Sequence, residues 1–248
     1  MIAVVTGVSS GFGLAIARRL VHEGYKVIGI ARREEKLKTI EAELGTSFLG
    51  LAVDVTDQPK ITHELAHLPQ GFRDITLLVN NAGLALGLDL AQNAQLSDWD
   101  QMVKTNINGV LNCTHAILPG MVKRERGHII NMGSVAAEFP YPGGNVYGAT
   151  KAFIRQLSLN LRADLHGTPI RVTDIEPGLC SGTEFSVVRF KNDEARAKQL
   201  YEGTTPITPE DIAETVYWCT SLPAHVNINT ISMMPVSQSF GALPVKRN

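Results

Sequence analysis

Seven short runs of aliphatic and β-branched residues recur along this chain, and most are apolar at successive positions instead of at every second one. They are Ile2–Thr6, Lys26–Ala31, Ser47–Val53, Thr76–Val79, His128–Met132, Ile170–Ile175 and Asn227–Met233. A strand that is apolar on both faces must be covered on both, which is the environment of a parallel sheet lying between two helix layers. Stretches of helical period separate the runs. Phe12–Glu23 follows a glycine turn, Glu34–Leu44 stops at Gly45, and Asn145–His166 stops at Gly167. Ser97–Val122 has Ser97 as a candidate cap, and a last helix opens at Thr208. Such alternation implies right-handed crossovers and an α/β fold, doubly wound around a mostly parallel seven-stranded sheet with helices on both faces.

At roughly 150 residues per domain, 248 residues give between one and two domains, and one α/β domain absorbs that length. Residues 1–248 are therefore read as a single domain. Its one long interruption, 178–208 between Pro177 and Pro209, exceeds an ordinary connection and is expected to be a lid over a site. With 23 basic and 24 acidic residues the net charge is −1, which argues against a nucleic-acid partner and against a polybasic membrane surface. No apolar run approaches the 18 or so residues that span a bilayer, and Met1–Gly7 carries no basic leader, so the expectation is a soluble, cytoplasmic protein. Cys113, Cys180 and Cys219 are odd in number and lack CxxC spacing, which fits reduced thiols. A chain of this size needs no metal or disulfide to hold it, and no metal site is expected.

Gly7-Val8-Ser9-Ser10-Gly11-Phe12-Gly13 lies directly after the first strand and opens the first helix. Glycines there permit a tight turn and let backbone N–H groups approach a pyrophosphate at the positive helix end, which suits a dinucleotide in a Rossmann-like domain. About 20 residues further on, an NAD enzyme carries a carboxylate for the adenosine ribose. Here that place is held by Arg32 and Arg33, whose guanidinium groups suit a 2′-phosphate, so NADP(H) is expected over NAD. The alternative is that both arginines begin a solvated helix face. Asp54 and Val55 end the third strand where an adenine edge would meet them, although Asp54 could equally cap a helix before Gln58.

Tyr147 and Lys151 are four residues apart on a predicted helix and share a face. An ammonium beside a phenol favours phenolate, so the expectation is a depressed Tyr147 pKa and a proton donor and acceptor near neutrality. Ser134 ends a strand thirteen positions earlier, where its hydroxyl could hold a substrate oxygen. Asn106 is a polar residue in an apolar helix and reads, by itself, as a bonded core amide.

Taken together, these features resemble the short-chain dehydrogenase/reductase family over essentially the whole chain. The resemblance is carried by Thr6–Gly13, Asp54-Val55, Asn80-Asn81-Ala82-Gly83, Asn106, Ser134, Tyr147-x3-Lys151, Pro177-Gly178 and Thr183. It implies that Tyr147 is the general acid/base, that Ser134 positions the carbonyl, that Lys151 bonds the nicotinamide ribose, and that Asn106 holds a relay water. It also implies cofactor contacts from the glycine turn, from Asn81, Ala82 and Gly83, and from Pro177, Gly178, Leu179 and Thr183. On this reading residues 1–95 form mainly the cofactor half and residues 96–248 the catalytic and substrate half.

Asn80 to Gly87, Gly143 to Phe153, Asp174 to Gly178 and Leu222 to Thr230 are similar, further, to the bacterial NADP-dependent 3-hydroxy acid dehydrogenases. That similarity implies a small anionic hydroxy acid or aldehyde as substrate: 3-hydroxypropionate and malonic semialdehyde, or serine and allo-threonine at the 3-hydroxyl. Related enzymes reduce sulfoacetaldehyde to isethionate, and fold-level motifs do not separate the two. Arg189 is the candidate clamp for the substrate anion, with Lys191 close by, although both could be solvated loop charges. The rival from another class is a non-catalytic redox sensor that binds NADP. The family resemblance implies a homodimer or homotetramer, since Ile107, Val110 and Phe153 exceed what one inner stripe needs.

Overall fold

A computed structural model describes residues 1–241 and Val245. Its sheet has seven parallel strands: β1 (Ile2–Thr6), β2 (Lys26–Ala31), β3 (Phe48–Ala52), β4 (Ile75–Asn80), β5 (Gly127–Met132), β6 (Ile170–Pro177) and β7 (Thr230–Met233). They are ordered β3-β2-β1-β4-β5-β6-β7, so the chain winds one way from β1 to β3 and the other way from β4 to β7. Both sheet faces are buried, as the unbroken apolar runs require. One core packs Ala15, Ile16 and Leu20 of α1 (Gly11–His22), Leu37 and Ile40 of α2 (Glu34–Leu44), and Ile212 and Val216 of α9 (Pro209–Ser221) against it. The other face is covered by α3 (Gln58–Ala66), α5 (Gly109–Lys123) and α6 (Asn145–Asp164) through Ile61, Cys113, Ile117, Met121 and Leu161.

The differences from the sequence expectation have local causes. α3 is the helix that the alternative reading of Asp54 allowed; it opens at Gln58-Pro59 and buries only Ile61. Its cap is Asp57, whose carboxylate accepts from Lys60 N, and not Asp54. β7 begins at Thr230 instead of Asn227, because the Asn227 amide occupies both backbone groups of Val172 and replaces the ladder there. The segment expected as one helix over Ser97–Val122 is α4 (Leu96–Val103), a π-turn (Lys104–Asn108) and α5. Its cap position is Gln95, so Ser97 lies inside the first turn. The lid is not bare loop: it contains α7 (Phe185–Arg189) and α8 (Glu194–Gln199), the latter capped by Asp193. No helix among the described residues is long and apolar enough to cross a membrane.

Candidate active site

The strand order reverses between β1 and β4, and there the carboxyl ends of the sheet open a crevice. A cavity of about 750 Å³ fills it, running from the glycine turn and Arg32 and Arg33 to Tyr147, Lys151 and the lid. Gly7 and Gly11 hold φ of +73° and +55°, which side-chain-bearing residues rarely adopt. Gly13 serves close packing, since a Cβ there would lie 2.4 Å from the carbonyl oxygen of Gly7. Ser10 occupies the cap position of α1 but makes no capping bond, so the first-turn N–H groups face the cavity without a side-chain partner. That is a cradle for a pyrophosphate. Asn81 closes its floor, with Nδ2 donating to Thr6 O at 2.8 Å, while Thr6 Oγ1 accepts from the N–H groups of Asn81 and Ala82 at 2.9 Å each.

Ser9, Phe12, Asp54, Val55, Gly83, Pro177, Gly178, Leu179 and Thr183 also line the cavity. Val8 does not: its side chain is 0% exposed and packs in the core behind the turn. Arg33 is held at the rim by Ser9 Oγ at 2.8 Å and by Glu184 of the lid at 2.9 Å. Arg32 is largely exposed, 3.9 Å from Asp54.

At the other end, α6 carries Tyr147 and Lys151 on its inner face, 8% exposed each. Lys151 Nζ donates to Met132 O at 2.7 Å, and it lies 5.8 Å from the centre of the Tyr147 ring. Ser134 follows β5, and its hydroxyl accepts from Ala136 N at 3.1 Å. The expected depression of the phenol pKa is absent in the chain alone. Burial pushes Tyr147 above the ordinary tyrosine range, against smaller opposing pulls from the Ser134 hydroxyl and the Arg189 charge. The physical reason is that the lysine turns to a carbonyl instead of to the phenol. Burial also lowers Lys151, to about 8.

Asn106 sits on the π-turn, which aims its side chain out of α4–α5. Its Oδ1 accepts from Leu84 N at 2.9 Å, and its Nδ2 donates to Leu84 O at 2.9 Å and to Thr150 at 3.0 Å. It is a strut between the loop after β4 and α6, and it does not line the cavity. Arg189, by contrast, turns inward: Nε donates to Gly87 O at 3.2 Å and Nη2 to the Tyr141 hydroxyl at 2.7 Å. Lys191 turns away and pairs with Asp98 at 2.9 Å.

Residues 1–194 match the family described as short chain dehydrogenase. The chain belongs to that family. This short-chain dehydrogenase is 59% identical over 248 residues, all of both chains, to the NADP-dependent 3-hydroxy acid dehydrogenase YdfG of Salmonella typhi. It is 55% identical over 244 residues, 98% of this chain and 97% of the relative, to a serine 3-dehydrogenase of Agrobacterium fabrum. Among solved structures it matches the closed form of a serine dehydrogenase complexed with NADP+ at TM-score 0.97 and 55% identity, covering both chains fully. Serine dehydrogenase from Escherichia coli matches at TM-score 0.87 and 50% identity, over 97% of this chain and 100% of that one.

Several residues of the dehydrogenase's site were not legible beforehand. Tyr141 anchors Arg189, Glu184 anchors Arg33, and Gln238 accepts from Leu179 N at 2.7 Å. Each meets its partner from a distant loop, so no spacing in the sequence marks it. A tyrosine and a glutamate near the lid were the available signals, and both are common on loops.

Proposed function

We propose that this dehydrogenase uses NADP(H) to interconvert a small anionic hydroxy acid and its semialdehyde. The observation that carries the reading is one cavity with two cations, Arg32 and Arg33, at the adenosine end and a third, Arg189, beside the buried Tyr147. The glycine cradle, the open first turn of α1 and the two arginines fit a dinucleotide phosphate better than an NAD ribose. Gly7, Ser9, Ser10, Gly11, Arg32 and Arg33 would hold the phosphates, Asp54 and Val55 the adenine, and Asn81 to Gly83, Lys151 and Pro177 to Thr183 the other half. When bound, the dinucleotide supplies a hydride to the carbonyl carbon in reduction and accepts one in oxidation.

The chain's own residues do the rest. In reduction Tyr147 Oη donates its proton to the carbonyl oxygen, while the Ser134 hydroxyl bonds the same oxygen and holds it in place. Burial favours the protonated phenol, which suits the donor role. In oxidation the phenolate takes the proton back, and the ammonium of Lys151 supports that charge. Asn106 fixes Leu84 against α6 and so keeps the floor of the site rigid. Arg189 pairs with the substrate's carboxylate.

Relatives at 55–59% identity, an NADP-dependent 3-hydroxy acid dehydrogenase and a serine 3-dehydrogenase, support the substrate class. A guanidinium clamp takes a sulfonate as readily as a carboxylate, so sulfoacetaldehyde is the second candidate. A steady-state screen of the purified enzyme with NADPH tests the reading. Malonic semialdehyde, sulfoacetaldehyde, succinic semialdehyde and a neutral aldehyde are compared, and kcat/KM must favour a short anionic aldehyde. Tight NADPH binding with no turnover of any of them would put the redox-sensor reading first. We further infer a cytoplasmic homodimer or homotetramer: of the apolar residues expected to be surplus, Val110 is buried in the core and Ile107 half-buried, while Phe153 is exposed, as are Leu111 and Leu159 on α5 and α6. Gel filtration at the 26.9 kDa monomer mass would end the assembly claim.

A further inference from the structure

β6 carries two carboxyl groups two positions apart, Asp174 and Glu176, on one face of an inner strand. Neither meets solvent, at 0% and 1% exposure. Both oxygens of Asp174 and Oε1 of Glu176 lack a hydrogen-bond partner among the described residues. A bare carboxylate there would carry a desolvation cost of several kcal/mol, so an opposite charge or a proton must offset it.

Both are at hand. Lys151 Nζ is fixed on the carbonyl of Met132, and the next residue is Gly133. A Cβ on Gly133 would stand 2.5 Å from Asp174 Oδ1, so the missing side chain is the space that the Asp174 carboxyl occupies. The aspartate therefore lies against the same peptide that holds the lysine, within Coulombic reach of its ammonium. Its other neighbour is Glu176, within bonding reach. Two carboxylates have no donor between them, so this contact is favourable only when the pair keeps one proton.

We propose that Asp174 and Glu176, sharing one proton, form the counter-ion of Lys151 and keep that buried lysine an ammonium. The proposal rests on the role given to Lys151 above and makes Asp174 a positioning residue that acts through it. Burial and the neighbouring Glu176 push Asp174 above the usual carboxylate range, with Lys151 opposing. Burial raises Glu176 as well, against the charge of Arg155. Burial pulls Lys151 down, and Asp174 acts in the opposite direction. The groups facing the pair come from each packed element. α6 presents Lys151, Arg155 and the bonded hydroxyl of Ser158, with Arg155 3.4 Å from Glu176 and 3.0 Å from Glu138 after β5. β5 places the Asn131 amide beside Asp174, and β7 places Thr230 and Ser232 beside Asp174 and Glu176.

Two isosteric substitutions then act with opposite signs. Asp174→Asn leaves the pair's one negative charge on Glu176, the carboxyl farther from Lys151, so the lysine loses its proton at lower pH. Glu176→Gln places that charge wholly on Asp174, beside the ammonium, so the lysine holds its proton to higher pH. The Lys151 midpoint is read directly in apoenzyme by NMR of ¹⁵N-labelled lysine, with Lys151→Met as the assignment control. The alkaline limb of kcat/KM for alcohol oxidation is read in parallel. We expect shifts of about one pH unit in opposite directions. Shifts of the same sign, or an unmoved midpoint, overturn the proposal. Should Asp174→Asn fail to fold, Glu176→Gln decides alone, since only an upward shift supports the pairing. A shifted NMR midpoint with an unshifted rate profile supports the counter-ion and removes Lys151 from the chemistry, which separates the two failures.

Discussion

The guanidinium of Arg189 lies 5.5 Å from the centre of the Tyr147 ring while its Nη2 donates to the Tyr141 hydroxyl at 2.7 Å. A lid residue is thus anchored beside the reacting phenol by a residue 48 positions away in sequence. The Arg189 carbonyl also accepts from Gly87 N at 2.9 Å, so this residue ties the lid to the loop after β4.

If this cation holds the substrate anion, Arg189→Leu raises KM for malonic semialdehyde by roughly tenfold to a hundredfold, the worth of a charge-assisted bond of about 1.5–3 kcal/mol. KM for a neutral aldehyde of similar size changes far less. Tyr141→Phe only frees the guanidinium and has a smaller effect in the same direction. Equal losses on both aldehydes would mean that Arg189 merely orders the loop.

Tyr147→Phe removes one oxygen and keeps the ring that packs edge-on against Phe185 at 5.7 Å. The expected outcome is a fall in kcat of about 10²–10⁴-fold with little change in the NADPH dissociation constant. Lys151→Met differs by weakening NADPH binding as well. Fluorescence titration beside steady-state kinetics separates the two patterns, and near-wild-type turnover in Tyr147→Phe would refute the mechanism.

The direction of the phenol shift makes a further expectation. Burial disfavours the charged form, and the charged form of tyrosine is the base, so the midpoint moves up from about 10. Difference spectroscopy near 295 nm between wild-type and Tyr147→Phe apoenzyme then shows no Tyr147 phenolate below pH 10. A phenolate signal there would mean that the lysine governs Tyr147 even without cofactor.

At the adenosine end, Arg32→Ala combined with Arg33→Ala weakens NADP+ by tenfold or much more and leaves NAD+ nearly unchanged. Glu184 competes for the Arg33 guanidinium, and such half-exposed pairs are worth about 0.2–1 kcal/mol. Glu184→Gln is therefore expected to tighten NADP+ by about twofold to fivefold. Isothermal titration with both dinucleotides checks both statements.

Gln238 reaches back from the chain's last described stretch to take the N–H of Leu179, and it is 7% exposed. Gln238→Ala leaves that donor unsatisfied, at a cost of about 1–3 kcal/mol. A lower Tm follows, together with a raised KM for the dinucleotide and a smaller change in KM for the aldehyde. An unchanged Tm would show that the Leu179 N–H finds water.

Wherever a chemical signal is local, the sequence sufficed. Unbroken apolar runs located the strands, glycines located the turn after β1, and the four-residue step located Tyr147 and Lys151 on one face. What it missed depends on encounters between distant segments. Asn227 ends the β6–β7 ladder early by taking over Val172, a choice no propensity encodes. The π-turn at Asn106 exists because its amide finds Leu84 and Thr150, and the helical period alone reads straight through it. In the chain without a dinucleotide the expected depression of the Tyr147 pKa is absent, because spacing says which face two side chains share, not which acceptor the ammonium chooses.

The strand order has a consequence for how the chain is made. β1 is flanked by β2 and β4, and its partners on the β4 side are Ile75, Leu77, Leu78 and Val79. A nascent chain that has emerged only through β3 holds three strands in the order β3-β2-β1 with the inner edge of β1 unpaired and apolar on both faces. Such an edge invites pairing with other chains until β4 arrives. Parallel strands close only over long crossovers, so refolding is slow and passes through states that expose this surface. Far-UV ellipticity should therefore return before activity after dilution from urea, and recovery should fall as protein concentration rises.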